Sequence, residues 1–158
     1  MTEVRLRELR DEDLPAYWQH LADPALQWQA GMTRDYHYER DAFDAHWARI
    51  RANPRILHRT VLADGVVAGQ VASFDGPDGR EVTYWIGPEH GGRGIATEAL
   101  RQLLALDTTR PMHAGAAADN AASLRILEKC GFVVTGHDRD EARARGGGEV
   151  DVVLLELA

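Results

Sequence analysis

The order of apolar and polar residues divides the chain into short strands and amphipathic helices. Apolar and charged residues alternate from Val4 to Leu9, which is typical of a half-buried strand. Helical spacing follows twice, from about Asp11, which can cap the helix, to Leu21 and from about Glu39 to Ala52. The side chains that these helices are predicted to bury are Leu14, Trp18 and Leu21 in the first and Phe43, Trp47 and Ile50 in the second.

The middle of the chain predicts three strands joined by tight turns. Two strand-like runs, from Ile56 to Leu62 and from Val66 to Phe74, flank Asp64-Gly65, which is a strong hairpin signal. A turn rich in aspartate, glycine and proline then leads into a third strand from about Glu81 to Ile86. These strands are therefore expected to be antiparallel.

The second half of the chain alternates helices with strands. A helix of about 94–107 is predicted, with Ile95, Ala99, Leu103 and Leu106 on its inner side. A strand from about Met112 to Ala117, a helix after Asn120 and two strands at about 132–137 and 150–157 complete the order. Strands that are first antiparallel and then joined through helices predict an α/β (α+β) fold, with a mixed, mostly antiparallel sheet and helices on both faces.

Length and charge limit the classes of function. The 158 residues fit one domain, over 1–158, and such a domain buries about 70% of the surface that its unfolded chain exposes. Acidic residues outnumber basic ones 25 to 18, and the formal charge of −7 disfavours nucleic-acid binding. A negative surface can attract cationic amines, although ordinary solubilising charge is the simpler explanation.

Cysteine, histidine and the N-terminal residues predict a cytoplasmic protein without a metal. Cys130 is the single cysteine, so no disulfide forms within the chain, and a reducing compartment fits best. The N-terminus has no apolar signal-like segment, and no run of 18 apolar residues occurs, so no membrane partner is expected. The seven histidines are scattered without the spacing of metal ligands.

The stretch from Val82 to Leu100 runs from a strand through a glycine-rich turn into a helix, and such a junction can hold an anion. Gly91, Gly92 and Gly94 allow a close approach of the backbone, and the first N–H groups of the helix have no intrahelical partners. Gly94 is not followed by the lysine of a nucleotide-triphosphate loop, and the turn matches only half of a dinucleotide fingerprint. The alternative is an ordinary glycine-rich surface turn.

A second segment, DNAASLRILEKCGF from Asp119 to Phe132, adds a polar N-cap, an amphipathic helix and a terminating glycine. The two segments together resemble the GNAT superfamily of acetyl-CoA-dependent N-acetyltransferases, whose signatures are Q/R-x-x-G-x-G/A and, roughly 25 residues later, N-x-x-[AS]. The fuller patterns WIGPEHGGRGIATEAL and NAASLRILEKCGF are similar to its Rim-type branch, which includes enzymes that acetylate ribosomal-protein N-termini. The similarity covers nearly the whole chain.

Two positions depart from the superfamily's pattern. Gly91 stands where glutamine or arginine is usual, although backbone amides contact the phosphates in either case. Leu127 stands where many members carry a tyrosine that acts as general acid, so another group or water must take that role.

The resemblance implies how the coenzyme binds. The strands at about 81–86 and 112–117 are expected to splay apart, with the pantetheine arm of acetyl-CoA in the gap and the pyrophosphate on the amides of the glycine turn. The residues expected to bind the coenzyme are Trp85, Ile86, Gly87, Gly91, Gly92, Arg93, Gly94, Ile95, Ala96, Thr97, Asn120 and Ser123.

The resemblance also indicates the catalytic groups. Glu81 is the first candidate for the base that takes a proton from the amine, and His113 on the neighbouring strand is the second. Ser123 is the candidate donor of a proton or hydrogen bond to the departing thiolate. Each residue has a structural alternative: Glu81 as an exposed carboxylate at a strand start, Asn120 as an N-cap, and Ser123 as a local partner of the backbone.

The acceptor is left open among protein N-termini and small amines. Trp28, Met32, Tyr36 and Tyr38, together with the turn at 140–148, are candidates for its pocket. The expected partners are acetyl-CoA and an amine, and homodimer formation is left open. Two other functions are considered: an acyl-CoA-binding regulator without a base, and a partner-binding domain whose glycine turn binds nothing.

Overall fold

Seven strands form one sheet in the order β1-β2-β3-β4-β5-β7-β6. The structure is a computed structural model that describes residues 2–26, 39–141 and 149–158. The strands are β1 Val4–Arg7, β2 Leu57–Ala63, β3 Val66–Gly76, β4 Gly79–Ile86, β5 Met112–Ala117, β6 Val133–Glu141 and β7 Glu149–Leu157. The predicted mixed sheet is confirmed, because β4 and β5 are parallel and the other neighbouring pairs are antiparallel.

The hairpin between β2 and β3 turns at Asp64-Gly65, as the sequence predicts. Asp64 has φ of 49° and Gly65 has φ of 81°, the left-handed conformation that two-residue hairpin turns require at both central positions.

The ladder between β4 and β5 contains two register pairs, Arg80 with Met112 and Glu81 with His113. Beyond these pairs the two parallel strands diverge, so the predicted splay is confirmed. Each strand is paired on its other side, β4 with β3 and β5 with β7, so the gap lies between two hydrogen-bonded strands.

Four helices of eight residues or more are present in the described part of the chain, two on each face of the sheet. They are α1 Leu14–Ala22, α2 Arg40–Ala52, α3 Ile95–Leu106 and α4 Ala121–Lys129. The larger apolar core packs α3 and α4 against the sheet, and a second core packs α1 and α2 against the opposite face. Within the described residues, no helix combines the length and the apolar character that crossing a bilayer requires.

The first helix differs from its prediction in its start and its buried face. A short 3-10 turn, Asp11–Asp13, precedes α1, and Asp11 provides no cap for it. The carboxylate that serves this end is the buried Asp13, which accepts hydrogen bonds from the amide of Arg10 at 2.9 Å and from both terminal nitrogens of Arg7 at 2.7 Å. The fully buried side chains of α1 are Tyr17 and Leu21.

Leu14 and Trp18 are partly buried and pack against the same core, so the predicted inner face is corrected only in its centre, which is Tyr17 with Leu21. In α2, Phe43 and Trp47 are buried as predicted and Ile50 packs against them. Leu106 is a second correction. It is the last residue of α3 and is 56% exposed, because the helix continues past the layer on which it packs.

Candidate active site

The edge of β4 that faces β5 carries unpaired main-chain groups. The amide of Gly87 donates to the carbonyl of Ala68 on β3 at 2.7 Å. Because the hydrogen-bonding direction alternates along a strand, the groups of Tyr84 and Ile86 point the other way, toward the gap. Both groups of Gly87 are engaged, since its carbonyl accepts from the amide of His90 at 2.9 Å. Of the predicted trio Trp85, Ile86 and Gly87, only Ile86 thus directs its main chain into the gap.

The side chain of Trp85 fixes the end of β4. Its ring packs edge-on against Tyr17 and Trp47, with centroids 5.2 and 5.6 Å apart, and its Nε1 donates to Nδ1 of His20 at 3.4 Å. The His20 ring covers Gly87, where a Cβ would lie 2.5 Å from it. Trp85 and His20 therefore position the strand end, and glycine is required where they meet the backbone.

The glycine turn presents a row of backbone donors. Gly92 and Gly94 have φ of 75° and 73°, and a Cβ on either would meet no atom within 4 Å. In the described part of the chain, the amides of 92–97 donate no hydrogen bond. These amides lie in the turn before α3 and in the first turn of that helix, where the helix dipole favours an anion. The amide of Gly91 is engaged by the carbonyl of Pro88 at 3.2 Å.

Arg93 holds the turn from outside. Its guanidinium lies 3.3 Å from Oδ2 of Asp64 and 3.0 Å from Oγ1 of Thr2. The predicted contact of Arg93 with the coenzyme is therefore left to its amide, while its side chain ties the turn to the β2-β3 hairpin.

The N-terminus of α4 reaches the gap through Ser123. Asn120 caps the helix, its Oδ1 accepting from the amide of Ser123 at 3.2 Å, so the capping alternative is confirmed. The Ser123 hydroxyl lies 2.7 Å from the hydroxyl of Tyr84 on β4. Burial raises the pKa of Tyr84 to about 12, so the phenol keeps its proton at neutral pH.

Tyr84 is a site residue that the sequence reasoning missed. Strand alternation could have placed it, because Val82, Tyr84 and Ile86 all face α3 and α4 in the larger core. Its contact with Ser123 could not be predicted, because the two residues are 39 positions apart and meet only across the gap.

Three titratable side chains form a row on the opposite face of the sheet. Glu81 is registered with His113, and His113 with Glu156 on β7. The Nδ1 of His113 lies 3.9 Å from Oε2 of Glu156. Burial raises the pKa of Glu81, and nearby Asp78 adds to this, while His113 lowers it. A base whose pKa is raised toward neutrality is better matched to accepting a proton at physiological pH.

This row lines a groove of about 680 Å³ that runs along the gap. A second cavity, of about 480 Å³, lies under α1 and α2, and Phe74 and Thr83 line both spaces. The glycine turn, the unpaired edge of β4 and the carboxylate row thus surround one gap in the sheet.

A family model described as an acetyltransferase (GNAT) domain matches residues 3–133. The chain belongs to the GNAT acetyltransferase family. The resemblance to this superfamily that the two motifs indicate is confirmed.

One curated relative is named "Putative ribosomal N-acetyltransferase YdaF", from Bacillus subtilis (strain 168). It is 30% identical over 115 residues, which cover 68% of this chain and 62% of that protein. The chain thus aligns with less than two thirds of that relative's length.

Solved structures share the fold at lower identity. The spermidine N-acetyltransferase of Vibrio cholerae, in complex with CoA and spermine, has a TM-score of 0.80 at 19% identity, covering 98% of this chain and 94% of that one. Mycobacterium smegmatis RimJ, in complex with CoA-disulfide, has a TM-score of 0.79 at 24% identity, covering 98% and 81%.

Within this GNAT chain, Leu127 is buried in the larger core. Its side chain packs rather than reacts, as expected where the superfamily's tyrosine is missing. The position of His90 in the turn predicts a side chain that faces solvent, but that side chain is only 12% exposed. The predicted pocket residues Trp28, Met32, Tyr36 and Tyr38, and positions 142–148 of the predicted turn, lie outside the described residues. The first two positions of that turn, 140 and 141, belong to β6 instead.

Proposed function

We propose that this chain is an acetyl-CoA-dependent N-acetyltransferase, formed by one domain over 1–158, that transfers an acetyl group to a primary amine by direct attack in a ternary complex. The observation that carries the proposal is the two-pair ladder between β4 and β5, which opens into an unpaired strand edge ending at the glycine turn. An extended ligand with a phosphate end matches that arrangement.

The main chain supplies most of the coenzyme contacts. The amides of 92–97 would hold the pyrophosphate, and Tyr84 and Ile86 would pair their backbone groups with the pantetheine arm. Backbone donors directed at the thioester carbonyl would stabilise the negative charge that develops there during attack. Asn120 would act by holding the start of α4, where Ser123 lies.

Proton transfer is divided between the two faces of the sheet. On the groove side, Glu81 would take a proton from the ammonium, directly or through water, so that the neutral amine attacks the carbonyl carbon. The nitrogen–carbon bond forms, the carbon–sulfur bond breaks, and the nitrogen loses its second proton to water. The thiolate takes a proton from Ser123 on the helix side while Tyr84 passes its own proton to Ser123 through their 2.7 Å contact. Solvent then reprotonates Tyr84, so that one proton is released in net for each ammonium that is acetylated. His113 is the second candidate base.

The presence of Glu81 and His113 in the groove favours an enzyme over an acyl-CoA-binding regulator. The names of the relatives point to amines, spermidine in one case and ribosomal proteins in another, so both small amines and protein N-termini belong among the candidate acceptors.

An acetyl-transfer assay tests the proposal. Purified protein would be incubated with acetyl-CoA and a panel of amines and peptides, and free thiol would be measured. We expect thiol release that requires both the protein and an amine. Acetyl-CoA should also raise the melting temperature by several degrees, since a ligand of the folded state stabilises it by mass action. Stabilisation without turnover would indicate the acyl-CoA-binding regulator. The absence of both stabilisation and turnover would indicate a glycine turn that binds nothing.

Two further statements complete the proposal. A cytoplasmic location is supported by the half-buried, unpaired thiol of Cys130, which suits a reducing compartment. A homodimer is supported by the edge strand β6, whose Val133 and Val134 are 61% and 49% exposed. Sedimentation of the parent and of Val133→Lys would show whether this edge joins two copies.

A further inference from the structure

The cavity under α1 and α2 has the size and lining of a ligand site. Its volume of about 480 Å³ lies within the range of small-molecule pockets. Most of the side chains around it are apolar or aromatic, among them Leu21, Ile50, Ile56, Phe74 and Trp85. An uncharged, largely apolar group would be stabilised by entering it.

Two buried polar atoms in this lining have no partner in the described part of the chain. They are Nε1 of Trp47, in a residue 2% exposed, and Nε2 of His58, in a residue 8% exposed. Their rings adjoin, with centroids 5.4 Å apart. A buried polar group without a hydrogen bond destabilises the fold, so such atoms are commonly hydrogen-bonded by a ligand or by water. Because an indole N–H only donates, the matching ligand atom on Trp47 must be an acceptor.

The charge of the cavity decides what the ligand cannot be. Asp75 is the carboxylate among its described lining residues, and it is engaged by Arg55 at 2.8 Å and by Arg80 at 3.2 Å. His58 adds no charge, since burial lowers its pKa to about 4. Among the described lining residues, an ammonium would meet one carboxylate that two guanidinium groups already engage, which is unfavourable for a buried charge.

The neighbouring groove has the opposite character. Asp78, Glu81 and Glu156 line it, and it is where the amine must arrive to be acetylated. Phe74 and Thr83 line both spaces, so a single molecule can extend from one into the other.

We propose that the acceptor is a primary amine joined to an uncharged aromatic body that carries a hydrogen-bond acceptor, with the body in the cavity beside Trp47 and His58 and the ammonium in the groove beside Glu81. This inference rests on the proposed function. An arylalkylamine and the N-terminal residue of a peptide with an aromatic side chain share this chemistry, whereas a polyamine does not.

Matched acceptors test the class. Tyramine and 2-phenylethylamine differ by one oxygen, whereas cadaverine presents one further ammonium and spermidine two. We expect kcat/KM for tyramine to exceed that for 2-phenylethylamine by about tenfold and that for either polyamine by about a hundredfold. A pair of peptides, Tyr-Gly-Gly-amide and Asp-Gly-Gly-amide, extends the test to chain termini, and kcat/KM should be higher for the peptide with N-terminal tyrosine. Its kcat/KM should exceed that of tyramine only if the acceptor is a peptide N-terminus.

Variants of the cavity tie the preference to these residues. Trp47→Phe keeps an aromatic ring but removes the N–H, so the preference for tyramine over 2-phenylethylamine should fall to within about twofold. Ile50→Trp fills the cavity from α2 and should raise KM for tyramine about tenfold while coenzyme affinity is unchanged. If Trp47→Phe fails to fold, the ratio of kcat/KM for tyramine and 2-phenylethylamine would be measured in His58→Phe instead.

The failures are distinguishable. Thiol release from none of these amines would overturn the proposed function itself. Acetylation of spermidine or cadaverine at least as efficiently as tyramine would overturn only the acceptor class. An unchanged tyramine preference in a folded Trp47→Phe, together with an unchanged KM in Ile50→Trp, would remove the cavity from acceptor binding.

Discussion

The hydroxyl oxygens of Tyr84 and Ser123 lie 2.7 Å apart and join β4 to α4 across the gap in the sheet. Leu127 leaves this GNAT chain without the tyrosine that many relatives place on α4, and Tyr84 reaches the same helix from the neighbouring strand. A serine alone is a weak acid, whereas a serine backed by a phenol can be reprotonated as it donates.

Removing either hydroxyl should slow the chemical step. We expect Ser123→Ala and Tyr84→Phe each to lower kcat about tenfold, because water can replace part of the function. The double variant should lose little more than the worse single variant, since the two groups act in one relay. Coenzyme affinity, measured by thermal shift, should stay within about twofold of the parent. Losses that multiply in the double variant would contradict the relay.

Glu81→Gln keeps the shape of the side chain and removes the basic carboxylate. Turnover should fall by roughly a hundredfold with coenzyme affinity unchanged, and higher pH should partly rescue it because more of the amine is already neutral. Since burial raises the pKa of Glu81, the parent should lose activity on acidification at a higher pH than an ordinary carboxyl would give.

Glu156→Gln is the matched control, because Glu156 lies in the same row but on the far side of His113. It should change turnover by little. A Glu81→Gln enzyme with parental turnover across the pH range would exclude Glu81 and make His113 the base to test.

Gly94→Val tests the glycine turn. The added side chain would point into the open space at the start of α3 and would strain a backbone with φ of 73°, so coenzyme binding should weaken at least tenfold, about 1.4 kcal/mol. Gly65→Val is the control for strain alone, since Gly65 has φ of 81° and equally open surroundings in the hairpin turn. Parental affinity in Gly94→Val, measured by calorimetry, would show that the phosphates bind elsewhere.

His58 should make the fold less stable in acid. Burial lowers its pKa from 6.5 to about 4, so the unfolded chain binds a proton between these values that the folded chain does not. The free energy of unfolding should therefore be fully retained above about pH 6.5 and fall toward pH 4, by roughly 3 kcal/mol at most. Urea titrations across this range should show a smaller fall in His58→Phe than in the parent, and no difference in the exposed control His137→Gln.

The sequence predicted most elements well, because strand alternation and helical spacing reflect burial directly. It erred where burial depends on partners distant in the chain. Tyr17 is a fully buried side chain of α1, and its hydroxyl meets Oγ1 of Thr60 at 2.7 Å, a contact that the pattern around α1 does not reveal. The helical spacing of apolar residues in α3 includes Leu106, but the spacing does not show at which residue the helix stops packing against the sheet.

The candidate site divides in the same way. The glycine turn was predictable because backbone conformation and helix start are local properties. The row of Glu81, His113 and Glu156 depends on the register of three strands, and the pairing of Tyr84 with Ser123 depends on how wide the gap is. The engagement of both main-chain groups of Gly87 also follows from tertiary pairing rather than from residue type.

The brief ladder of β4 with β5 has a consequence for the molecule as a whole. In the described part of the chain, the block of strands β1 to β4 and the block β5 to β7 share main-chain pairing at Arg80–Met112 and Glu81–His113 alone. One apolar core packs on both blocks, but little main-chain pairing joins them, so the amide hydrogens of the two blocks can exchange at different rates while the gap is empty. A coenzyme bonded to both walls would couple them into one cooperative unit, so that protection from exchange rises in β7, far from any contact with the ligand.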